Sequence, residues 1–189
     1  MTASVELVLT ARPLERVACD IAVAGFFTDE RPLRGGAARA DWRLCGGLSR
    51  RIESGDLSGK SGEAMLIGSG RALLAPRFLL LGLGDRHAFD QLRVSDETRS
   101  ALSRCRQLRL SRVGLSPLGI ASDDVPRHAS ALVSGILEAC HGVEESLAVE
   151  ICLPKSEVAG VYRALEAARD AAKAGHVSLR TDDSGLDAR

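Results

Sequence analysis

Short apolar runs alternate along this chain with stretches whose apolar positions recur every three or four residues, the pattern of strands and helices in turn. Val5 to Leu9 alternates weakly as a first strand, and Asp20 to Phe27 (Asp-Ile-Ala-Val-Ala-Gly-Phe-Phe) reads as a buried second one. Between Gly36 and Gly55, residues Ala38, Trp42, Cys45, Leu48 and Ile52 fall at helical steps and predict one helix with one apolar stripe. Gly46 and Gly47 inside it each cost about 1 kcal/mol of propensity, which suggests a close packing contact there. Glu63 to Gly68 and Arg77 to Gly82 follow as strands. The second is apolar throughout its middle, as a strand covered on both faces must be.

Ser95, with Asp96 and Glu97, has the chemistry of a helix start, a capping hydroxyl and negative charge at the positive end of the dipole. The apolar stripe of that helix is Leu102, Cys105 and Leu108. A short strand at Val113 to Leu115 leads into Ser116-Pro117-Leu118-Gly119. Asp123 or Asp124 then caps a helix with the stripe Val125, Ala129, Leu132, Val133, Ile136, Leu137 and Cys140. Leu147 to Leu153 is another strand, and Val158, Val161, Tyr162, Leu165 and Ala172 mark a last helix that Gly175 ends. His176 to Leu179 closes the sheet, and Thr181 to Arg189, polar and without period, reads as a frayed tail behind a single domain of residues 1–180.

Alternating elements of this kind predict a three-layer α/β domain, with helices on both faces of a mixed, largely parallel sheet. Ligands in such domains favour the loops at the carboxyl ends of central strands. Three loops qualify: Gly25 to Gly36, Gly82 to Asp85, and Ser116 to Asp124. The candidate binding residues are Gly35, Gly36, Gly82, Gly84, Asp85, Ser116 and Gly119.

Composition narrows the functional classes. With 189 residues, 45% of them hydrophobic, the chain can bury a full core without disulfides or metal. Lys plus Arg (25) balance Asp plus Glu (25), so no net field draws it to nucleic acid or anionic membrane. Its apolar runs fall far short of the roughly 20 residues that span a bilayer. Met1-Thr-Ala-Ser-Val-Glu lacks the regions of a signal peptide, and the expected location is cytoplasmic. Cys19, Cys45, Cys105, Cys140 and Cys152 form an odd set with no Cys-x-x-Cys pair, so buried free thiols are expected rather than a metal site.

Several segments imitate functional motifs. Gly55-Asp56-Leu57-Ser58-Gly59-Lys60-Ser61 looks like a phosphate-binding P-loop, but it has three residues between its glycines where that loop needs four. It also runs from helix to strand, the reverse of the P-loop context, so a glycine-rich turn with Lys60 in solvent is expected. Gly82-Leu83-Gly84-Asp85 follows a buried strand and could turn its N–H groups into an anion nest, or form a tight turn at a crowded strand end. His87, His128, His141 and His176 stand in no recognisable Ser, Cys or metal spacing, and solvated or capping roles are expected. Asp123-Asp124 suits a helix cap and Asp182-Asp183 the tail, so neither is an acid/base dyad.

The ordered set Asp20 to Phe27, Gly47-Leu48-Ser49, Gly55-Asp56, Gly59-Lys60, Gly62-Glu63 and Leu81-Gly82-Leu83-Gly84 resembles the N-terminal domain of leucyl (cytosol) aminopeptidases, from about residue 17 to 173. That resemblance implies a macro-domain-like fold. In the family, Lys, Asp and Glu residues of a separate C-terminal domain hold two divalent metals, several of them in an Asn-Thr-Asp-Ala-Glu-Gly-Arg segment. No such segment occurs here, so the resemblance carries over no metal ligand, no cofactor and no catalytic residue. It implies a free-standing accessory domain that assembles with itself or with a catalytic aminopeptidase homologue.

Macro domains bind ADP-ribose, and two segments of this chain resemble their loops: Asp20-Ile21-Ala22-Val23 with Leu33-Arg34-Gly35-Gly36, and Ser116-Pro117-Leu118-Gly119-Ile120. Two features depart from the pattern. Phe26 and Phe27 stand where an asparagine would meet the distal ribose, and Thr10-Ala11-Arg12 lacks the acid that would recognise adenine. A module for a nucleotide-like small molecule is therefore the alternative expectation. DNA binding is a further one, prompted by some bacterial relatives and by Arg50-Arg51 and the Arg104 to Arg112 cluster, with solvated helix faces the ordinary explanation.

Overall fold

The structure, a computed structural model, describes residues 4–142 and 145–182. Among the described residues there are seven strands: β1 (Val5–Thr10), β2 (Ile21–Phe26), β3 (Ala64–Gly68), β4 (Arg77–Gly82), β5 (Arg112–Leu115), β6 (Leu147–Cys152) and β7 (Val177–Asp182). They form one sheet in the order β3-β4-β2-β5-β6-β1-β7, parallel throughout except for the antiparallel β3 at one edge. The central strands are buried on both sides because both faces are covered, which is why β4 and β2 read as continuous apolar runs.

The outer layers are made by the helices α1 (Gly35–Arg43), α2 (Gly47–Glu53), α3 (Gln91–Gln107), α4 (Ala129–Cys140) and α5 (Lys155–Ala171). The last three bury Leu102, Leu132, Ile136, Val161 and Leu165 against Ile21, Val23, Leu79, Leu81, Val149 and Ile151. Helices α1 and α2 bury Ala37, Ala40, Leu48 and Ile52 on the other face, against Ala22, Ala24, Phe26, Phe78 and Leu80. The expected three-layer architecture with a mixed, largely parallel sheet is the observed one.

Differences arise where one local signal outweighs another. The single helix expected from Gly36 to Gly55 is two, because Cys45 (φ 54°) and Gly46 (φ 76°) take left-handed backbone between α1 and α2. Asp41, from the end of α1, then accepts hydrogen bonds from Leu48 N (2.8 Å), Ser49 N (3.1 Å) and the Ser49 hydroxyl (2.5 Å), capping α2 from outside it. Gly46 thus serves a turn, not a packing contact. Trp42, 78% exposed, leaves the predicted stripe because α1 buries Gly36, Ala37 and Ala40 instead, and Cys45 lies in the left-handed break itself as a surface thiol.

Helix α3 begins a turn earlier than Ser95, capped by the Asp90 carboxylate on Arg93 N at 2.9 Å, and Ser95 is buried inside it. Leu108 lies at its C-cap, exposed. Residues Ser122–His128, with Pro126 among them, form a 3-10 helix ahead of α4, and Asp123 and Asp124 sit in its first turn without capping α4. Thr181 and Asp182 belong to β7, and the rest of the expected tail, 183–189, lies outside the described residues.

Candidate functional site

Loops from the carboxyl ends of β1, β2, β4, β5 and β6 surround one cleft of about 520 Å³, within the range of small-molecule sites. Its position follows from topology, since five parallel strands end on the same side of the sheet. Of the residues expected to bind, Gly35, Gly36, Ser116 and Gly119 line it, whereas Gly82, Gly84 and Asp85 do not.

Two loops meet at its centre. Gly36 lies so close to Ser116 that a Cβ there would stand 2.6 Å from the serine Cβ, which only glycine avoids. The first N–H groups of a helix have no partner within it; Glu30 takes that of Arg34, at the N-cap position, and those of Gly35, Gly36 and Ala37 have no side-chain acceptor among the described residues and are open to an anion. Arg34, at the N-cap position, also lines the cleft, and its guanidinium has no hydrogen bond or ion pair among the described residues. Arg12, Arg39 and Arg86 line it as well.

Each of those three arginines is oriented by an acid. Arg12 pairs with Asp182 at 3.2 Å and Arg39 with Glu15 at 3.4 Å. Glu30, the sole acid among the described lining residues, holds Arg86 through Oε2 and accepts from Arg34 N through Oε1 at 3.0 Å. The Arg86 guanidinium lies 4.2 Å from the centroid of the Phe27 ring, whose other neighbour, Phe89, meets it edge to face at 5.0 Å. Gly119 has no side chain because those two rings fill the space: its Cβ would be 2.7 Å from each. Phe26 points away from the cleft into the core under α1 and α2.

The turn Gly82 to Asp85 has a different role. Gly82 N donates to Glu63 O at 2.9 Å, Leu83 N to Phe26 O at 2.9 Å and Gly84 N to Gly59 O at 2.8 Å, so these N–H groups are unavailable to a ligand. Asp85 caps the short 3-10 turn Arg86–Ala88 by accepting from His87 N at 2.9 Å. This segment fastens β4 to the neighbouring loops.

The P-loop imitation proves to be a real anion nest with its anion already in place. Glu63 Oε2 accepts from three successive N–H groups, Ser58 (2.8 Å), Gly59 (2.9 Å) and Lys60 (3.2 Å), and Oε1 from the Ser58 hydroxyl (2.8 Å). Burial raises the affinity of this carboxyl for a proton, but the hydrogen bonds from Ser58, Gly59 and Lys60 together outweigh it and hold the carboxyl below its ordinary value. The chain supplies its own substitute for a phosphate there.

Among the described residues no histidine lines the cleft, and its one thiol, Cys152, is pushed well above the ordinary thiol range, first by burial and then by nearby Cys19 and Glu150. A group so protonated is a poor nucleophile. Nor do any three described His, Cys, Asp or Glu side chains gather as metal ligands, and no described helix is long and apolar enough to cross a membrane. Four of the arginines that suggested DNA are tied to backbone carbonyls, Arg50 to Cys45 (2.7 Å), Arg104 to Gly62 (3.0 Å), Arg106 to Ala139 (3.1 Å) and Arg112 to Ala18, and Arg51 pairs with Asp56 at 3.5 Å. Reading residues one at a time missed Arg12, Glu30, Arg34 and Arg86. The available signal was Arg34 standing directly before Gly35-Gly36.

The fold is macrodomain-like. The macrodomain of Oceanobacillus iheyensis solved with ADP superposes with a TM-score of 0.67 at 10% identity, over 85% of this chain and 90% of that one. A Trypanosoma brucei macrodomain in complex with ADP gives 0.64 at 17% identity, over 85% and 69%. A tomato leucine aminopeptidase mutant gives 0.68 at 15% identity, over 89% of this chain and 36% of that one. Residues 23–147 match the cytosol aminopeptidase family, N-terminal domain, and the chain belongs to this family.

Relatives described as "Probable cytosol aminopeptidase" agree with that assignment. The protein from Paraburkholderia phytofirmans is 37% identical over 82 residues, 43% of this chain and 16% of that protein. The one from Burkholderia thailandensis is 33% identical over 111 residues, 59% of this chain and 21% of that protein. The chain thus spans about a sixth to a fifth of the length of these relatives.

Proposed function

We propose that this chain is a non-catalytic module whose cleft binds a phosphate-bearing small molecule. The observation that carries the reading is the meeting in one open cleft of the Gly35 to Ala37 amides of α1, the Arg34 guanidinium, which has no partner among the described residues, and the Gly36–Ser116 contact. Two of the macrodomains that share the fold were solved with ADP, which makes ADP and ADP-ribose natural first probes. The matched family region is the N-terminal domain, and the cleft offers no nucleophile beside a base among its described residues, so binding rather than turnover is its chemistry. Calorimetry with ADP, ADP-ribose and inorganic phosphate tests it. Saturable binding, weakened about tenfold by Arg34→Ala, is expected for the loss of a charge-assisted contact. No heat and no thermal shift with any of the three at millimolar concentration overturns the reading.

A second reading, assembly with itself or with a catalytic aminopeptidase homologue, is favoured by Trp42. The ring is 78% exposed beside a hollow lined by Pro32, Leu33, Ala38 and Cys45, and a bare tryptophan over an apolar hollow suits a protein interface. Size-exclusion chromatography with light scattering, and capture of an aminopeptidase from the native cell, test this. A strict monomer that captures none is the opposing result.

A further inference from the structure

The two ends of the cleft differ, and the difference bears on what lies beyond the phosphate. Helix α1 follows β2 and Ser116 follows β5, so the phosphate position proposed above stands at the middle of the sheet. Arg12 follows β1, two strands from β5 in the order β5-β6-β1. Neighbouring strands are about 4.8 Å apart, which puts Arg12 about 10 Å along the cleft from the loop at Ser116. The other lining residues at that end are Ala11, Pro13, Leu153 and Pro154.

That end is unsuited to a nucleobase. Among the described residues nothing aromatic lines it: the cleft's single aromatic residue is Phe27, already covered by Arg86 on a face and met by Phe89. No described carboxylate lines it either, since Glu30 belongs to the Arg86 end, and Asp182, which pairs with Arg12, and Glu150, close enough to feel its charge, stand outside the lining. A base placed there would meet a guanidinium that only donates and small apolar walls. An anion would meet an oriented cation, since Asp182 fixes the guanidinium while Arg12 keeps 32% of its side chain exposed.

We propose that the ligand is a bis-anion, with one phosphate at Arg34 and the Gly36–Ser116 loops and a second anionic group about 10 Å away at Arg12. The proposal rests on the cleft being a phosphate site, and its chemistry is that of two phosphates or carboxylates joined by a short neutral spacer. A sugar bisphosphate and a nucleoside bisphosphate share that chemistry, and the lack of a base platform among the described residues favours the sugar.

Calorimetric titration with α,ω-alkane bisphosphonates from ethane to octane, with methylphosphonate and ADP alongside, decides the matter. Affinity should peak at the chain length that spans about 10 Å and exceed that of methylphosphonate about tenfold or more. Arg12→Ala should lower it to the methylphosphonate level, and Arg12→Lys, which keeps the charge without the planar fork, should retain part of the gain. Far-UV circular dichroism and a thermal melt establish that both variants are folded.

Bisphosphonates that bind no tighter than methylphosphonate at every length, or a folded Arg12→Ala protein with unchanged affinity, overturn the bis-anion proposal while the phosphate reading stands. Failure of methylphosphonate, ADP and all bisphosphonates removes both. Fructose 1,6-bisphosphate and adenosine 3′,5′-bisphosphate separate the two sources. Tighter binding of the adenosine compound contradicts the base-free end.

Discussion

Replacing Glu63 by glutamine tests whether the turn at Ser58 to Lys60 is an anion nest filled from within. The carboxylate receives three N–H groups and one hydroxyl, all within 3.2 Å. Hydrogen bonds to charged groups contribute about 1.5–3 kcal/mol where they are desolvated, and solvent screening at this partly exposed site lowers that figure. Glutamine keeps one acceptor oxygen for the N–H groups and can donate to the Ser58 hydroxyl, so about half of the interaction survives. A loss of about 1 kcal/mol follows, or about 2–4 °C in Tm for a chain of this size. Alanine, which leaves all four donors to water, should cost about twice as much.

The pH dependence supplies the sharper check. A carboxyl whose folded value lies below its unfolded one contributes stability that is fully present above the unfolded pKa and is lost as pH falls through the folded pKa. The gap between wild type and Glu63→Gln, measured by urea denaturation, should therefore be widest near about pH 7 and shrink on the approach to about pH 3. A gap of equal size at both, or none at either, would refute the nest.

Other substitutions probe the packing. Gly135→Ala should destabilise by about 1–3 kcal/mol, because its Cβ would stand 2.4 Å from the Ser95 carbonyl oxygen where α3 and α4 touch. Gly160→Ala, in α5 with nothing near its Cβ, should stabilise by about 0.5–1 kcal/mol, and the two melts together check the helix contact. Asp90→Ala should cost about 1 kcal/mol by uncapping α3, whereas Ser95→Ala, if Ser95 were the cap, would cost that much for the same reason; urea titrations of both tell them apart. Gly36→Val should abolish ADP binding in calorimetry, since its side chain would be driven into Ser116.

Elements with a strong period were legible in the order of residues alone. Helix α5, with Val161 and Leu165 one turn apart, and strand β4, apolar because both faces are covered, fell where their patterns placed them. The glycine loops at Gly35-Gly36 and Ser116 to Gly119 were legible too, since small residues after a strand mark places where backbones approach closely. Helix ends were less so. Ser95 and Asp90 both have capping chemistry, and only the packing of α3 against α4 decides which of them begins the helix and which is buried inside it. Trp42 lost its place in the stripe because small residues, Gly36, Ala37 and Ala40, form the face of α1 that packs on the sheet, and periodicity of large residues does not register them.

By itself the sequence determined the α/β class, the alternation of elements and the glycines that open the loops, because period and backbone freedom are properties of neighbouring residues. Tertiary structure decided the rest. Strand order carried Arg12, Arg34 and Arg86, far apart in the chain, to one end of the sheet. It also decided which N–H groups stay available: those of Gly82, Leu83 and Gly84 pair with carbonyls, those of Ser58 to Lys60 with Glu63, and the amino end of α1 is left without a side-chain cap. A glycine-rich motif states that backbone donors are exposed, but only the folded chain shows whether a partner already holds them.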